Sequence, residues 1–335
     1  MDWIIIILII LAFFLAFGIG ANDETMVNVV GSGSLKLKRA VLLGGALAFL
    51  GVVFLSASVG KTIGASLLGP SVSYNSFMMI AILLSTSIWL IVGSKTSVPI
   101  STTHSVVGSV FGISIVWAIS TGQNYLLSVN WVKISQVVLG WFISPILGFF
   151  GAIIVQLIIK RFMKYRSAGL LEVESTEKYM QFIILAFVCV NQISRGGNDS
   201  ANALGVLYGL IETGDLTTKI VSFLVVIIGI IFMVGLIFVG KNLIANISTT
   251  TGKMRPSDSL AAEVSTSLIL FGATVLGLPV SGSHILVFAL IGSARMKGEK
   301  PDKRSFRRMV ISWFLTFPIA AGLSALIYTI LVPFA

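Results

Sequence analysis

The sequence is poor in charged residues and has a single cysteine. Charged residues make up 11% of the 335 residues and hydrophobic residues 56%, whereas about 25% of a soluble domain is charged. This deficit argues against a soluble domain and predicts an all-α protein that crosses a lipid bilayer several times. Because Cys189 is the only cysteine, no internal disulfide can form, and its apolar surroundings indicate a buried small residue.

Acidic residues are missing from a long part of the chain. None lies between Thr25 and Leu171, so Asp23 and Glu24 are the last acids before this gap. An aspartate at the centre of a bilayer costs about 2.5–3.5 kcal/mol. A carboxylate in such a segment is therefore expected to line a polar cavity or to bind a cation.

Positive charge is concentrated in three short segments. The net charge is +10, and residues 36–39, 160–166 and 295–308 hold many of the Lys and Arg residues. Short basic segments between apolar runs are typical of cytoplasmic loops. No soluble basic domain is present, which argues against a nucleic-acid partner.

These loops predict the domain organisation. Placing them inside gives a first transmembrane repeat (1–159), a cytoplasmic linker (160–180) and a second transmembrane repeat (181–335) that enters from the opposite face. We therefore expect two inverted-topology repeats in the cell (plasma) membrane, as in the inner membrane of a prokaryote. Both termini are expected outside the cytoplasm.

A two-part motif occurs once in each half. Residues 20–23 read Gly-Ala-Asn-Asp and are followed by Pro-Ile-Ser-Thr-Thr-His at 99–104; residues 196–199 read Gly-Gly-Asn-Asp and are followed by Pro-Val-Ser-Gly-Ser-His at 279–284. We expect a broken helix at each Asn-Asp segment and a helical hairpin around each Pro-Ser segment. Polar, glycine-broken segments in corresponding places of two apolar halves indicate a transporter binding site.

The Asn-Asp segments favour a cation site. Asp23 and Asp199 recur in matched positions, and we predict that they coordinate a cation; the alternative is a structural hydrogen bond at a helix break. Nearby amides can add ligands, and they belong to Asn22, Asn28, Asn198 and Asn202.

The Pro-Ser segments favour an anion site. A proline stops the incoming helix, so the hydroxyls lie at the N-terminus of the outgoing helix, where free N–H groups and the helix dipole bind anions. These hydroxyls belong to Ser101, Thr102, Thr103, Ser281 and Ser283. The alternative, for any one copy, is an ordinary N-cap.

Three more polar residues belong to these segments. His104 and His284 follow the hydroxyls, without Cys or Glu partners at the spacing of a zinc site; they either hold the hairpin tips by hydrogen bonds or act as ligands. Arg195 precedes Asp199 by four residues, and it either neutralises Asp199 or helps to hold an anion.

At these residues the chain resembles the inorganic phosphate transporter family of cation-coupled secondary transporters. That family carries Gly-Ala-Asn-Asp-Val-Ala-Asn-Ala and Pro-Val-Ser-Thr-Thr-His twice, and residues 196–203 and 99–104 are close matches. The resemblance implies an all-helical inverted repeat, a homodimer, and symport of inorganic phosphate with Na+ or H+, with no other cofactor. It places the cation at Asp23 and Asp199. It implies these phosphate ligands: Asn22, Asp23, Ser101, Thr102, Thr103, Asp199, Asn202, Ser281 and Ser283.

The departures from the family pattern keep other anions open. Met26 stands where the family has asparagine, with Asn28 two residues on; Gly282 replaces a threonine; and Arg195 stands where the family usually has a small or imidazole side chain. A permease for sulfate or another oxyanion is therefore the nearest alternative. An intramembrane hydrolase and an anion channel are the other two, although a duplicated motif suits binding better than catalysis.

Overall fold

The computed structural model describes residues 3–72, 74–96, 100–166, 169–250, 255–296, 298 and 303–334. Apart from one isolated bridge between Leu68 and Val129, regular structure in these ranges is helical. The α-helices are α1 (Trp3–Ala21), α2 (Val27–Gly31), α3 (Leu37–Lys61), α4 (Ser76–Thr96), α5 (Thr102–Thr121), α6 (Trp131–Arg166), α7 (Leu170–Glu212), α8 (Thr218–Gly235), α9 (Lys241–Thr250), α10 (Pro256–Val275), α11 (Gly282–Arg295) and α12 (Lys303–Leu331).

The prediction of a polytopic all-α protein is confirmed. Within the described ranges, seven helical segments are long and apolar enough to cross a bilayer. The helix α6 also carries large apolar side chains on its exposed surface, which suits contact with lipid. They belong to Leu139, Phe142, Ile146, Phe150 and Ile154.

The first Asn-Asp segment breaks its helix, as predicted. The helix α1 ends at Ala21 and the chain resumes helical structure only at Val27. Within the break, Asp23 Oδ1 accepts hydrogen bonds from the backbone N–H of Thr25 at 2.9 Å and from Thr25 Oγ1 at 2.6 Å. The Asp23 carboxylate thus accepts a hydrogen bond from a backbone N–H that would bond to a backbone carbonyl oxygen in a continuous helix.

The second Asn-Asp segment does not break its helix, so that expectation is wrong. The helix α7 runs without interruption through residues 196–199. The glycines serve packing instead: a Cβ added to Gly196 would lie 2.4 Å from the carbonyl oxygen of Ala48 in α3. Small residues of this kind let helix backbones approach closely in membranes.

The major helix contacts occur in matched pairs. In chain order, α1, α3, α4, α5 and α6 of the first half correspond to α7, α8, α10, α11 and α12 of the second. Accordingly, α1 packs on α8 as α7 packs on α3. In the same way, α5 and α4 pack on α12, and α11 and α10 pack on α6. The close approach is matched as well, since a Cβ added to Gly20 in α1 would lie 2.1 Å from the carbonyl oxygen of Phe232 in α8.

Both predicted hairpins are present, α4–α5 in the first half and α10–α11 in the second. Each hairpin packs against the last long helix of the other half. The N-terminal ends of α5 and α11 therefore approach each other, since Thr103 Oγ1 donates to the carbonyl oxygen of Val280 at 3.4 Å, and the Ser/Thr segments contact α7. Pro99 lies outside the described residues, whereas Pro279 lies in the turn between α10 and α11.

Candidate functional site

A cavity of about 550 Å³ lies between the two hairpin turns, α7 and the break after α1. It brings together residues that are far apart in sequence. The predicted site residues that line it are Asn22, Ser101, Thr102, Thr103, Arg195, Asp199, Ser281, Ser283 and His284.

Two helix N-termini reach this cavity. Ser101 is the N-cap of α5, and its Oγ accepts a hydrogen bond from the backbone N–H of His104 at 3.3 Å. Ser281 is the N-cap of α11 but makes no side-chain capping bond. The hydroxyl segments therefore lie at the N-termini of outgoing helices, as expected. Ordinary capping accounts for Ser101 but not for Ser281.

Arg195 is the centre of the polar contacts in the cavity. Its Nε donates to Asp199 Oδ2 at 3.0 Å, and its Nη2 lies 2.8 Å from Glu24 Oε1. The same Nη2 donates to Ser283 Oγ at 2.7 Å. The side chain is only 6% exposed. The pairing with Asp199 that was one of two alternatives is observed, because the helix persists between the two residues.

Glu24 is a site residue that sequence reasoning missed. It lines the cavity, pairs with Arg195, and accepts a hydrogen bond from Ser283 Oγ at 2.6 Å. The acid stood out in a long stretch without acids, but the second copy of the motif has Ser200 in its place. Because the duplicated motif points only to residues that occur in both copies, it does not single out Glu24.

Asp23 and Asp199 have different surroundings. Asp199 faces the cavity, whereas Asp23 is 2% exposed and lies behind it. Asp23 Oδ2 accepts from Gln192 Nε2 at 2.6 Å, and Oδ1 lies 3.8 Å from Arg195 Nε. The side-chain oxygen of the same residue, Gln192 Oε1, is buried with no hydrogen-bond partner among the described residues. An oxygen-rich pocket of this kind suits a hard cation.

Asn198 and Asn202 connect α7 to the hairpins. Asn198 Nδ2 donates to the carbonyl oxygen of Leu278 at 3.0 Å, and its Oδ1 accepts from the N–H of Val280 at 3.3 Å. Asn202 Nδ2 lies 3.4 Å from Thr103 Oγ1. Neither asparagine lines the cavity, so both support the turns that form it.

Asn28 lies in a separate polar cluster. Its Nδ2 donates to Glu263 Oε1 at 2.5 Å, while Asn191 Nδ2 donates to Glu263 Oε2 at 2.9 Å. All three side chains are buried. Met26 is also buried, beside Gly44. Asn28 therefore does not reach the cavity, and it does not take the place of the family asparagine that Met26 replaces.

The two histidines stack between two tryptophans. The ring centroids of His104 and His284 are 4.9 Å apart; His104 lies 3.8 Å from Trp141, and His284 lies 3.7 Å from Trp313. His104 Nδ1 is buried without a hydrogen-bond partner among the described residues. The rings thus pack the two hairpin tips together. One expectation was that the histidines hold the tips by hydrogen bonds; the contacts observed between them are ring contacts.

Among the described residues, no group of three or more His, Cys, Asp or Glu side chains is arranged to hold a metal ion. The cavity combines two helix N-termini and a guanidinium with nearby carboxylate and amide oxygens.

Comparisons with known proteins find similarity over nearly the whole chain. A model of the phosphate transporter family matches residues 19–324. A Thermococcus kodakarensis protein named "putative phosphate permease" is 29% identical, with 99% of this chain and 98% of that protein covered. A Bacillus subtilis protein named "probable low-affinity inorganic phosphate transporter" is 27% identical, with 98% and 96% covered. A solved structure titled "The sodium-dependent phosphate transporter" has a TM-score of 0.85 and 24% identity, and it covers all of both chains; it has the same fold.

Proposed function

Because the chain belongs to the phosphate transporter family, we propose that it carries inorganic phosphate across the membrane in symport with a cation, by alternating access. The observation that carries this proposal is the shared cavity. The N-termini of α5 and α11, one from each half of the sequence, reach it together with the guanidinium of Arg195.

The donors in the cavity suit a tetrahedral oxyanion. Backbone N–H groups in the first turns of α5 and α11 are available to an anion, and hydroxyls surround them. Arg195 adds a planar fork of donors that matches phosphate geometry. Phosphate is proposed to bind between the two hairpin turns, with Asn22 and the hydroxyls of Ser101, Thr102, Thr103, Ser281 and Ser283 around it.

The charge of the site favours cation coupling. One guanidinium, that of Arg195, is within 4 Å of three carboxylates, those of Asp23, Glu24 and Asp199. An anion that enters this site adds negative charge where negative charge is already in excess. A cation that enters with it offsets the repulsion. Sodium is the proposed coupling ion, held by Asp23, Asp199 and neighbouring oxygens, with H+ as the alternative.

The paired helix contacts support a transport cycle built on two repeats. Residues 1–159 and 181–335 are proposed to be related by inverted topology, with the segment 160–180 between them on the cytoplasmic side. Rocking of one repeat against the other exposes a midplane site to each face in turn. The protein is proposed to act in the cell membrane as a homodimer, with both termini outside the cytoplasm.

The test is uptake of labelled phosphate into proteoliposomes that contain the purified full chain. Three conditions are compared: an inward sodium gradient, an inward proton gradient, and no gradient, each with and without excess sulfate. Accumulation driven by one gradient and insensitive to sulfate supports the proposal and identifies the ion. Strong sulfate competition supports the wider oxyanion reading, and equal flux under all three conditions supports a channel.

The two aspartates provide a second test. Asp23→Asn and Asp199→Asn remove charge at nearly constant volume, so each is expected to lower the sodium dependence of uptake at least about 10-fold, within the range of typical coupling energies. Glu212→Gln, at the exposed C-terminal end of α7, is the matched control and should behave as wild type. If both aspartate variants merely fail to fold, their assignment as cation ligands loses its support.

A further inference from the structure

We propose that Arg195 exchanges between Glu24 and the transported oxyanion, and that this exchange makes Glu24 a ligand for the coupling cation. The inference rests on the proposed function and assigns the coupling to particular atoms. It starts from three mutual contacts: Arg195 Nη2 to Glu24 Oε1 (2.8 Å), Arg195 Nη2 to Ser283 Oγ (2.7 Å), and Ser283 Oγ to Glu24 Oε1 (2.6 Å). These three side chains are called the Arg-Glu-Ser triangle below.

Glu24 and Ser283 share the Nη2 atom of Arg195. Nη2 donates to Ser283 Oγ and forms an ion pair with Glu24 Oε1, while Nε donates to Asp199. A bidentate oxyanion needs either the Nη1–Nη2 edge or the Nε–Nη2 edge of the guanidinium. Both edges include Nη2, so a bidentate oxyanion competes with Glu24 and Ser283 for this nitrogen.

The triangle also lies where the anion is expected. Ser283 is in the first turn of α11, whose N-terminus reaches the cavity. Its hydroxyl donates to Glu24 in the triangle, so it can donate to an oxyanion only after it leaves that carboxylate. An oxyanion at this N-terminus that binds both Arg195 Nη2 and the Ser283 hydroxyl therefore removes both partners from Glu24 Oε1.

A displaced Glu24 is a carboxylate without donors inside a membrane protein. Its side chain is only 20% exposed, and an unpaired charge in such a place is costly. A cation at Glu24 removes that cost. Binding of the anion therefore favours binding of the cation, and by linkage the cation favours the anion by the same factor.

The pair is not part of the duplicated motif. The second copy has Ser200 at the position of Glu24, and the first copy has Ile19 at the position of Arg195, four residues before the aspartate. Each half contributes one member, so the pair exists only when the halves are assembled. This asymmetry sets the triangle apart from the repeated Asn-Asp and Pro-Ser segments.

The experiment measures equilibrium binding of labelled inorganic phosphate and labelled Na+ to the purified full chain. Phosphate affinity is determined in choline chloride and in saturating sodium chloride, for wild type, Glu24→Gln, Ser283→Ala and the exposed control Glu212→Gln. Gln at position 24 keeps the shape and removes the charge that competes for Arg195. Ser283→Ala opens the triangle and keeps every charge, so it carries the test if Glu24→Gln does not fold.

Without sodium, Glu24→Gln should bind phosphate about 10-fold more tightly than wild type, and in saturating sodium the two should agree within about 2-fold; the size follows from typical coupling energies. Ser283→Ala should bind Na+ about 3-fold more tightly than wild type without phosphate, since Glu24 loses a donor. Glu212→Gln should match wild type throughout.

Two results would overturn the inference. One is a wild type whose phosphate affinity does not respond to sodium. The other is a Glu24→Gln variant whose phosphate affinity responds to sodium as strongly as that of wild type. In either case, if the wild type still binds phosphate, only the role of Glu24 is contradicted and the proposed function is not. A wild type that neither binds nor takes up phosphate under any gradient contradicts the proposed function itself.

Discussion

The two Asn-Asp segments share their central residues but have different backbones. In the first, Asp23 turns its carboxylate to the N–H and hydroxyl of Thr25 two residues on, and the helix ends. In the second, Asp199 turns its carboxylate back to Arg195 four residues before it, and the helix continues. The partner of the aspartate distinguishes the two segments: a hydroxyl residue ahead accompanies a break, and a cation one turn behind accompanies a helix.

The glycines of the two segments have the same role, which is close packing of helices and not helix breaking. Gly20 and Gly196 each lie against a carbonyl oxygen of a neighbouring helix, those of Phe232 and Ala48. One of these glycines is next to a break and the other is in an unbroken helix. Glycine at this motif position is therefore explained by close helix packing in both halves, and the break needs a separate cause.

The largest effect is expected from removing the guanidinium of Arg195, the positive charge of the second Asn-Asp segment. Arg195→Gln leaves three carboxylates without their common partner, and breaking a buried ion pair costs about 3–5 kcal/mol. Phosphate uptake at low phosphate concentration should fall by at least about 100-fold. Arg195→Lys keeps the charge without the fork and should retain part of the activity. Arg161→Gln, on the exposed end of α6, is the control; undiminished uptake by Arg195→Gln would contradict the assignment.

A smaller effect is expected from the packing glycines. Gly20→Ala and Gly196→Ala would place Cβ at 2.1 and 2.4 Å from a backbone carbonyl oxygen, and overpacking of this kind costs about 1–3 kcal/mol. Thermal unfolding of the purified protein should show a similar loss for both. Gly18→Ala, also in α1, has no atom within 4 Å of its new Cβ and should unfold as wild type does. A stable Gly196→Ala protein would separate the two segments in packing as well.

The smallest effect on stability is expected at Asn22, and it should differ in kind from the effect at Asn198. Asn198→Ala removes the bonds to Leu278 and Val280 and should cost about 1–3 kcal/mol of stability. The side chain of Asn22 donates, among the described residues, only to the carbonyl oxygen of Gly18, in an exposed position, and Asn22 lines the cavity. Asn22→Ala should leave thermal unfolding within about 0.5 kcal/mol of wild type and raise the KM for phosphate. A stability loss at Asn22 equal to that at Asn198 would contradict this division.

The sequence allowed much of the site to be predicted, because the motif is duplicated and its chemistry is local. Hydroxyls after a proline lie at a helix N-terminus wherever the hairpin packs, so the positions of Ser101 and Ser281 as N-caps could be anticipated. The unbroken α7 could not, since the break was inferred from glycines whose neighbours in α3 are not visible in sequence. Glu24 was missed for a related reason: its partners Arg195 and Ser283 are in the other half of the chain.

The stack of Trp141, His104, His284 and Trp313 has a mechanical consequence. It joins the tips of two hairpins that belong to different halves of the chain. Aromatic pairs contribute about 0.5–1.5 kcal/mol each and tolerate several geometries. The imidazole–imidazole contact can change its geometry without breaking a hydrogen bond, whereas Trp141 Nε1 donates to the carbonyl oxygen of Pro279 at 3.0 Å and ties one end of the stack to the second hairpin. Movement of one hairpin tip past the other is therefore expected at the contact between the two imidazoles.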